Sequence, residues 1–258
     1  HYLKKQNRSI GIPVKDIIEC AVQSLGLDDV APFHPNEKII EYAVLNDNQE
    51  KQSTIDTDFL DELSINSPAP GGGSAAALSG SLGASLISMV AALTHEKKEM
   101  LESKPMMDEI GIEAQSLKDR LAVLIEEDAN AFDGVMEANR LPKNTDDEKI
   151  LRKESIRSAN KYAIEVPLET AEKSFRVLQL SEKVVNYGNP NSVSDAGVSA
   201  EVAIAGVRGA CLNVMINLSG SDNSSFVEKM KNRVNQLIAD SESLHKAIYK
   251  KTTSIIKS

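Results

Sequence analysis

Asp128 carries the most chemical content of any residue in this chain. Its neighbours at helical spacing are Leu121, Leu124 and Ile125 on one side and Phe132 and Val135 on the other. The periodicity therefore puts a carboxylate on the apolar stripe of a helix, while Glu126, Glu127 and Asp133 can turn to water. A buried carboxylate must be paired or partly protonated, because desolvation penalises its charged form. Such a group can take up and return a proton near neutral pH. It can also be purely structural, bonded to a buried arginine or a helix N-terminus.

Further polar groups fall in three places. The stretch from Ser67 to Ala77 reads Ser-Pro-Ala-Pro-Gly-Gly-Gly-Ser-Ala-Ala-Ala. Gly71, Gly72 and Gly73 permit positive φ and a close approach to bare backbone, and Ser74 is predicted as the N-cap of a long uncharged helix to about Thr94. Backbone N–H groups at that helix start form a cradle for an anion or polar ligand, or the loop simply docks a core helix. After Asp128, Leu141-Pro142 ends the helix and aims Arg140 and Lys143 from a stiff loop, to grip carboxylates or to cap the helix. The loop from Tyr187 to Asp195 holds Asn189 and Asn191, with Ser194 predicted as an N-cap. Asn213 and Asn217 lie one turn apart on a face of small residues, for a ligand or for hydrogen bonds between helices.

Composition narrows the classes. The 258 residues suffice for one large domain or two modest ones, and a net charge of -9 argues against a general nucleic-acid binder. Cys20 and Cys211 are isolated and histidines are few, which argues against a structural zinc site and a disulfide scaffold and fits a reducing cytoplasm. No phosphate-loop lysine motif, nucleophile elbow or zinc-protease helix is present. Ala69 to Thr94 is uncharged and long enough to span a bilayer, but its Gly, Ser and Ala content and missing aromatic belt favour a buried helix without a membrane role. The start at His1 suggests a piece of a longer protein, with no signal peptide at that start.

The elements that must position these groups are helices. Residues 1–46 form a small unit with a helix at Val14 to Leu25 stopped by Gly26, and a strand or helix at Lys38 to Leu45; this unit is too small to hold a core alone. Residues 47–57 read as a linker and 58–258 as the main domain. There the pattern predicts a short helix around Phe59 and Leu63, the 74–94 helix, and an amphipathic helix from Lys104 to Arg140. Two separate helices follow, at 149–161 and from Pro167 to about Asn186, then 194–218 and 224–256. Ala76, Gly80, Ala84, Ser88 and Ala92 make one smooth face, with Leu78, Leu82, Leu86 and Leu93 on a bulkier one. Gly197, Ala205, Gly209, Asn213 and Asn217 form a matching stripe. The expected fold is an all-α bundle of long antiparallel helices with two tightly packed central helices.

With these residues collected, the chain resembles the cyclodeaminase part of the formimidoyltransferase-cyclodeaminase family. The motif from Ser67 to Ala77 resembles the family's glycine motif, and Glu127-Asp-Ala-Asn-Ala-Phe the segment with its catalytic aspartate. Arg140-Leu-Pro-Lys-Asn-Thr and Asn213-Val-Met-Ile-Asn-Leu are similar to two further signatures. Residues 1–45 resemble the end of the preceding formimidoyltransferase domain, the rest of which is missing, so formimino transfer itself is not expected. The resemblance implies a dimer-forming, all-helical enzyme that converts 5-formimidoyltetrahydrofolate to 5,10-methenyltetrahydrofolate and ammonia, in histidine breakdown and one-carbon metabolism. It implies Asp128 as the catalytic residue, with no metal and no redox cofactor. On that footing Arg140 and Lys143 are expected to hold the substrate's glutamate tail, polyglutamated in many folates. Gly71, Gly72, Gly73 and Ser74 with Asn213 or Asn217 are expected at the pterin, and Asn189 joins the substrate-binding candidates. A methenyltetrahydrofolate cyclohydrolase on the same fold and a non-catalytic folate-binding or assembly module are the competing readings.

Overall fold

Helices rich in glycine, alanine and serine can bring their backbones close together, and the fold is built around two of them. The structure is a computed structural model and describes residues 14–29, 31–40 and 57–257. The chain divides into two compact units, residues 1–68 and 69–258. Every element among the described residues is helical, so the all-α expectation holds.

The first unit contains α1 (Val14–Leu25), α2 (Pro35–Lys38) and α3 (Asp58–Ser64). Gly26 ends α1 with φ of 66°, a left-handed conformation that glycine adopts without a steric penalty. Most of the segment expected at 38–45, and the linker at 47–56, lie outside the described residues.

The second unit contains α4 (Gly72–Glu96), α5 (Lys104–Arg140), α6 (Asp146–Tyr187), α7 (Val193–Asn217) and α8 (Ser224–Ile256). Side-chain bonds fix the antiparallel register of α4 and α5, with Ser74 on Ile125, Ser81 on Lys118 and Gln115 on Ser88. Arg176 on Glu113 and Arg120 on Glu169 set α6 against α5, also antiparallel. α7 runs antiparallel to both α4 and α6. Ser199 donates to the Gly83 carbonyl at 2.8 Å and shares a 3.0 Å bond with Ser181.

The small-residue faces meet where α4 crosses α7. A Cβ on Gly206 would lie 3.0 Å from the Ala76 carbonyl, and one on Gly209 would lie 3.1 Å from the Ala76 methyl. Ala76 and Ala84 are buried there. The bulkier leucines face outward, Leu82 and Leu93 being exposed. The stripe expected on α7 is split. Gly209 and Asn213 face α4, but Gly197 packs on Thr252 of α8, and Ala205 is exposed while Gly206 takes the buried position. The α4 helix and the segment Pro190–Gly220 are long and apolar enough to cross a membrane, and both serve here as central helices of the bundle.

Two expected helices are one. α6 runs unbroken through Pro167. A proline cannot donate to the carbonyl four residues before it. That carbonyl belongs to Ala163, and the Asn217 amide donates to it at 2.7 Å. A partner supplied by α7 therefore removes the usual reason for a helix to end. The start of α6 is a full capping box, Thr145 accepting from the Glu148 N–H while Glu148 accepts from Thr145 N–H.

Candidate active site

The first turn of α4 lies against the middle of α5. The helix begins at Gly72, with Gly71 as its N-cap, so Ser74 sits in the third helical position instead of capping it. Gly71 is extended, with φ of -137°, and Gly26 alone has positive φ among the described glycines. The glycines here serve close approach, not turning. A Cβ on Gly73 would fall inside the Asp128 carboxylate, and Gly72 lies in ordinary contact with the Asn213 amide.

Asp128 is half-buried. The fully buried Ser74 hydroxyl reaches both the Ile125 carbonyl, at 3.0 Å, and Asp128 Oδ2, at 3.2 Å. The Ser74 N–H also bonds the carboxylate. Burial pushes the Asp128 carboxyl up from its ordinary value, and the two Ser74 bonds only partly oppose this. Among the described residues no cation pairs with Asp128. The N–H groups of Gly72 and Gly73 open the first turn, where helix geometry provides no carbonyl for them. Asn213 donates through Nδ2 to the Gly209 carbonyl at 2.9 Å, and a Cβ on Gly72 would lie 3.5 Å from that Nδ2 and 3.9 Å from the Oδ1. The result is a carboxyl raised by burial beside the backbone donors of the first turn of α4 and the Asn213 amide.

The residue before it behaves oppositely. Glu127 is clamped by Arg120, which bonds it through Nη1 at 2.7 Å and Nη2 at 2.9 Å. The same guanidinium holds Glu169 at 2.8 Å through Nε and Nη2. Hydrogen bonds from Arg120 hold the Glu169 carboxyl below its usual range, and both carboxylates push the guanidinium up. Tyr162 stands beside this cluster, its phenol raised by burial and by Glu127. Sequence reading missed the cluster. Its only local signal is the spacing of Arg120 and Glu127 by two helical turns, and the partner Glu169 is distant in the chain.

The other expected site residues separate into those near Asp128 and those elsewhere. Gly73 and Ser74 touch it, Gly71 and Gly72 adjoin them at the start of α4, and Asn213 packs on Gly72. Asn217 is not among these, because its amide is committed to the Ala163 carbonyl. Asn189 lies at the opposite end of α4, about 30 Å along the helix axis. Its N–H donates to Thr94 Oγ1 at 2.9 Å, and its Oδ1 caps the turn at Asn191. Asn189 is thus a buried structural cap, and its expected place among the substrate contacts is not supported by this position. Ser194 is exposed within the first turn of α7 and caps nothing; Ser192 holds the cap position. Arg140 and Lys143 are exposed at and beyond the end of α5, Arg140 about 18 Å along the axis from Asp128. No group of three or more potential metal ligands occurs among the described residues.

Comparisons with known proteins converge. The family model described as formiminotransferase-cyclodeaminase matches residues 56–236, and that of the formiminotransferase domain matches residues 1–45. A methenyltetrahydrofolate cyclohydrolase of Methylorubrum extorquens is 42% identical over 201 residues, covering 78% of this chain and 96% of that protein. The formimidoyltransferase-cyclodeaminase of Mus musculus is 36% identical over 228 residues, covering 87% of this chain and 42% of that protein. The chain thus spans less than half the length of that mammalian relative. The crystal structure of a formiminotetrahydrofolate cyclodeaminase from Thermotoga maritima superposes with a TM-score of 0.64 at 24% identity, over 81% of this chain and 97% of that one, which shows a shared fold.

Proposed function

We propose that this chain, which belongs to the formiminotransferase-cyclodeaminase family, closes the ring of 5-formimidoyltetrahydrofolate to give 5,10-methenyltetrahydrofolate and ammonia, with Asp128 as its acid–base catalyst. The observation that carries the reading is the Asp128 carboxylate, half-buried, unpaired by any described cation and pressed against Gly73 and Ser74. N10 of the folate attacks the formimidinium carbon, forming the N10–C bond, and its proton passes to the Asp128 carboxylate. The carboxylic acid so formed gives that proton to the amino group. The C–N bond then breaks, ammonia leaves, and the carbon bridges N5 and N10 as a methenyl cation. A carboxyl raised by its surroundings suits both halves of this exchange. Because the cycle starts from the carboxylate, kcat/KM should fall as pH drops through the raised Asp128 value. Gly72, Gly73 and Asn213 are proposed to hold the pterin, and Arg140 and Lys143 to meet the carboxylate end, extended where the folate is polyglutamated.

The formiminotransferase-domain match at residues 1–45 supports ring closure with loss of ammonia, since it implies fusion to a domain that handles the formimino group. The similarity to the Methylorubrum enzyme supports a second reading, hydrolysis of the methenyl product by the same carboxylate acting on water. Purified protein given 5-formimidoyltetrahydrofolate and, separately, methenyltetrahydrofolate distinguishes them. Methenyltetrahydrofolate absorbance rising with one ammonia released per turnover supports the first. Loss of methenyltetrahydrofolate with no turnover of the formimidoyl substrate supports the second.

The same reading places the protein in the cytoplasm, in histidine breakdown and one-carbon metabolism. It needs no metal or redox cofactor, nucleic acid or membrane. It also includes a homodimer. Leu82 on α4 and Leu212 and Ile216 on α7 are 51%, 72% and 70% exposed, apolar side chains available to a second copy. Sedimentation giving a monomer at every concentration would remove the dimer.

A further inference from the structure

A chain with a net charge of -9 has, among its described residues, a pronounced basic feature away from Asp128. The first half of α6 and the turn from Gly220 to Asn223 enclose a cavity of about 620 Å³. Arg152, Lys153, Arg157 and Lys161 line it, and Asp222 is the one carboxylate in its wall. Lys153, Arg157 and Lys161 recur every four residues, so their positions step along one face of α6 by about 6 Å each.

Like charges at that spacing repel one another and disfavour the helix. Among the described residues few ion pairs offset this. Lys161 pairs with Glu165 at 3.5 Å, but no described carboxylate pairs with Arg152, Lys153 or Arg157. Arg152 is already positioned, since its Nη2 donates to the Asn139 carbonyl at 3.0 Å, while its Nε is buried and meets no acceptor. The far wall is held in place too. Asn160 donates to the Gly220 carbonyl at 2.7 Å, and half-buried Ile156 and Phe226 give the cavity apolar surface.

We propose that this cavity binds an oligoanion, a ligand presenting two or more carboxylates or phosphates in succession to the row Lys153, Arg157 and Lys161. Charge-assisted bonds to these side chains and to Arg152 Nε would relieve the repulsion and complete the unpaired donor. Two sources share this chemistry. One is the carboxylate tail of the folate substrate, an assignment that rests on the activity proposed above. The other is a free oligophosphate, which does not depend on that activity.

Direct binding tests the site without turnover. Tripolyphosphate and tri-γ-glutamate are titrated by calorimetry at low salt into the whole chain and into two double variants. K153Q/R157Q removes two cavity cations; K246Q/K250Q removes two exposed cations one turn apart on α8, with the same change in net charge. The expected result is one site per chain for at least one probe, weakened tenfold or more in K153Q/R157Q and less than twofold in K246Q/K250Q. Absence of binding by both probes, or equal weakening in the two variants, overturns the proposal. KM then separates the sources. A rise in K153Q/R157Q that grows from the monoglutamyl to the triglutamyl substrate identifies the substrate tail, and an unchanged KM with lost tripolyphosphate binding identifies a separate oligoanion.

Discussion

The two ends of α4 make opposite use of buried polar groups. At the C-terminal end, Thr94 donates to the Val90 carbonyl at 2.7 Å and accepts from the Asn189 N–H, while the Asn189 side chain closes its own turn. Each of these bonds joins protein to protein, and the end is locked. At the N-terminal end, the Asp128 carboxylate receives, among the described residues, only Ser74, and burial holds its carboxyl above the ordinary range. Capacity is left over there for something that is not protein. A polar residue in a buried place is thus diagnostic of function when its partners fail to exhaust it, not because it is polar or buried.

The largest effect should come from removing that spare capacity. Asp128→Asn keeps the shape and the Ser74 contact but cannot shuttle a proton. Turnover of 5-formimidoyltetrahydrofolate should fall about a thousandfold, and a variant within tenfold of wild type in steady-state assays would break the contrast between the two ends. Gly73→Ala comes next. The added methyl would collide with the carboxylate, so kcat should drop by about a hundredfold for a displacement near 1 Å. Overpacking should cost about 1–3 kcal/mol in denaturant melts. Gly134→Ala, where a methyl meets nothing within 4 Å, is its control and should instead stabilise the helix by about 0.5–1 kcal/mol.

Substitutions of exhausted groups should register in stability alone. Thr94→Val strands the Asn189 N–H, and Asn217→Ala strands the Ala163 carbonyl. Each should cost about 1–3 kcal/mol in urea melts and leave kcat within twofold. A large loss of kcat in the folded Asn217→Ala protein would return that residue to the site. The smallest effect sharpens the comparison through pH. The folded-state value of Asp128 lies above the unfolded 3.8, so protonation favours the fold. Its stabilising contribution is greatest below 3.8 and is lost as pH rises through the raised folded value. Asp128→Asn does not titrate there. Its melting temperature relative to wild type should therefore increase with pH across that window and then level off; a flat difference from pH 3 to 8 would show that burial does not perturb the carboxyl.

Much of the fold was legible because long helices repeat their signal. α5 and α8 follow from apolar periodicity sustained over many turns, and α1 from a run that Gly26 terminates. The separate helices expected around Pro167 were not one element to a local reading, because the compensating Asn217 amide lies 54 residues beyond the Ala163 carbonyl it satisfies. The small-residue face of α4 was legible as the side of close approach, and the crossing with α7 puts that face inside and turns Leu82 and Leu93 outward.

The sequence by itself determined that the chain is helical, that α4 and α7 have backbones able to approach closely, and that Asp128 sits on an apolar stripe. These are properties of residue type and spacing, which local geometry converts directly into faces. Only the tertiary structure decided which of four polar candidates share a site. Ser74 and Asn213 reach Asp128's end of the bundle, whereas Asn189 and Asn217 are consumed by Thr94 and Ala163. Whether a hydrogen-bonding group is spent or free depends on partners brought from far along the chain, and no local pattern records them.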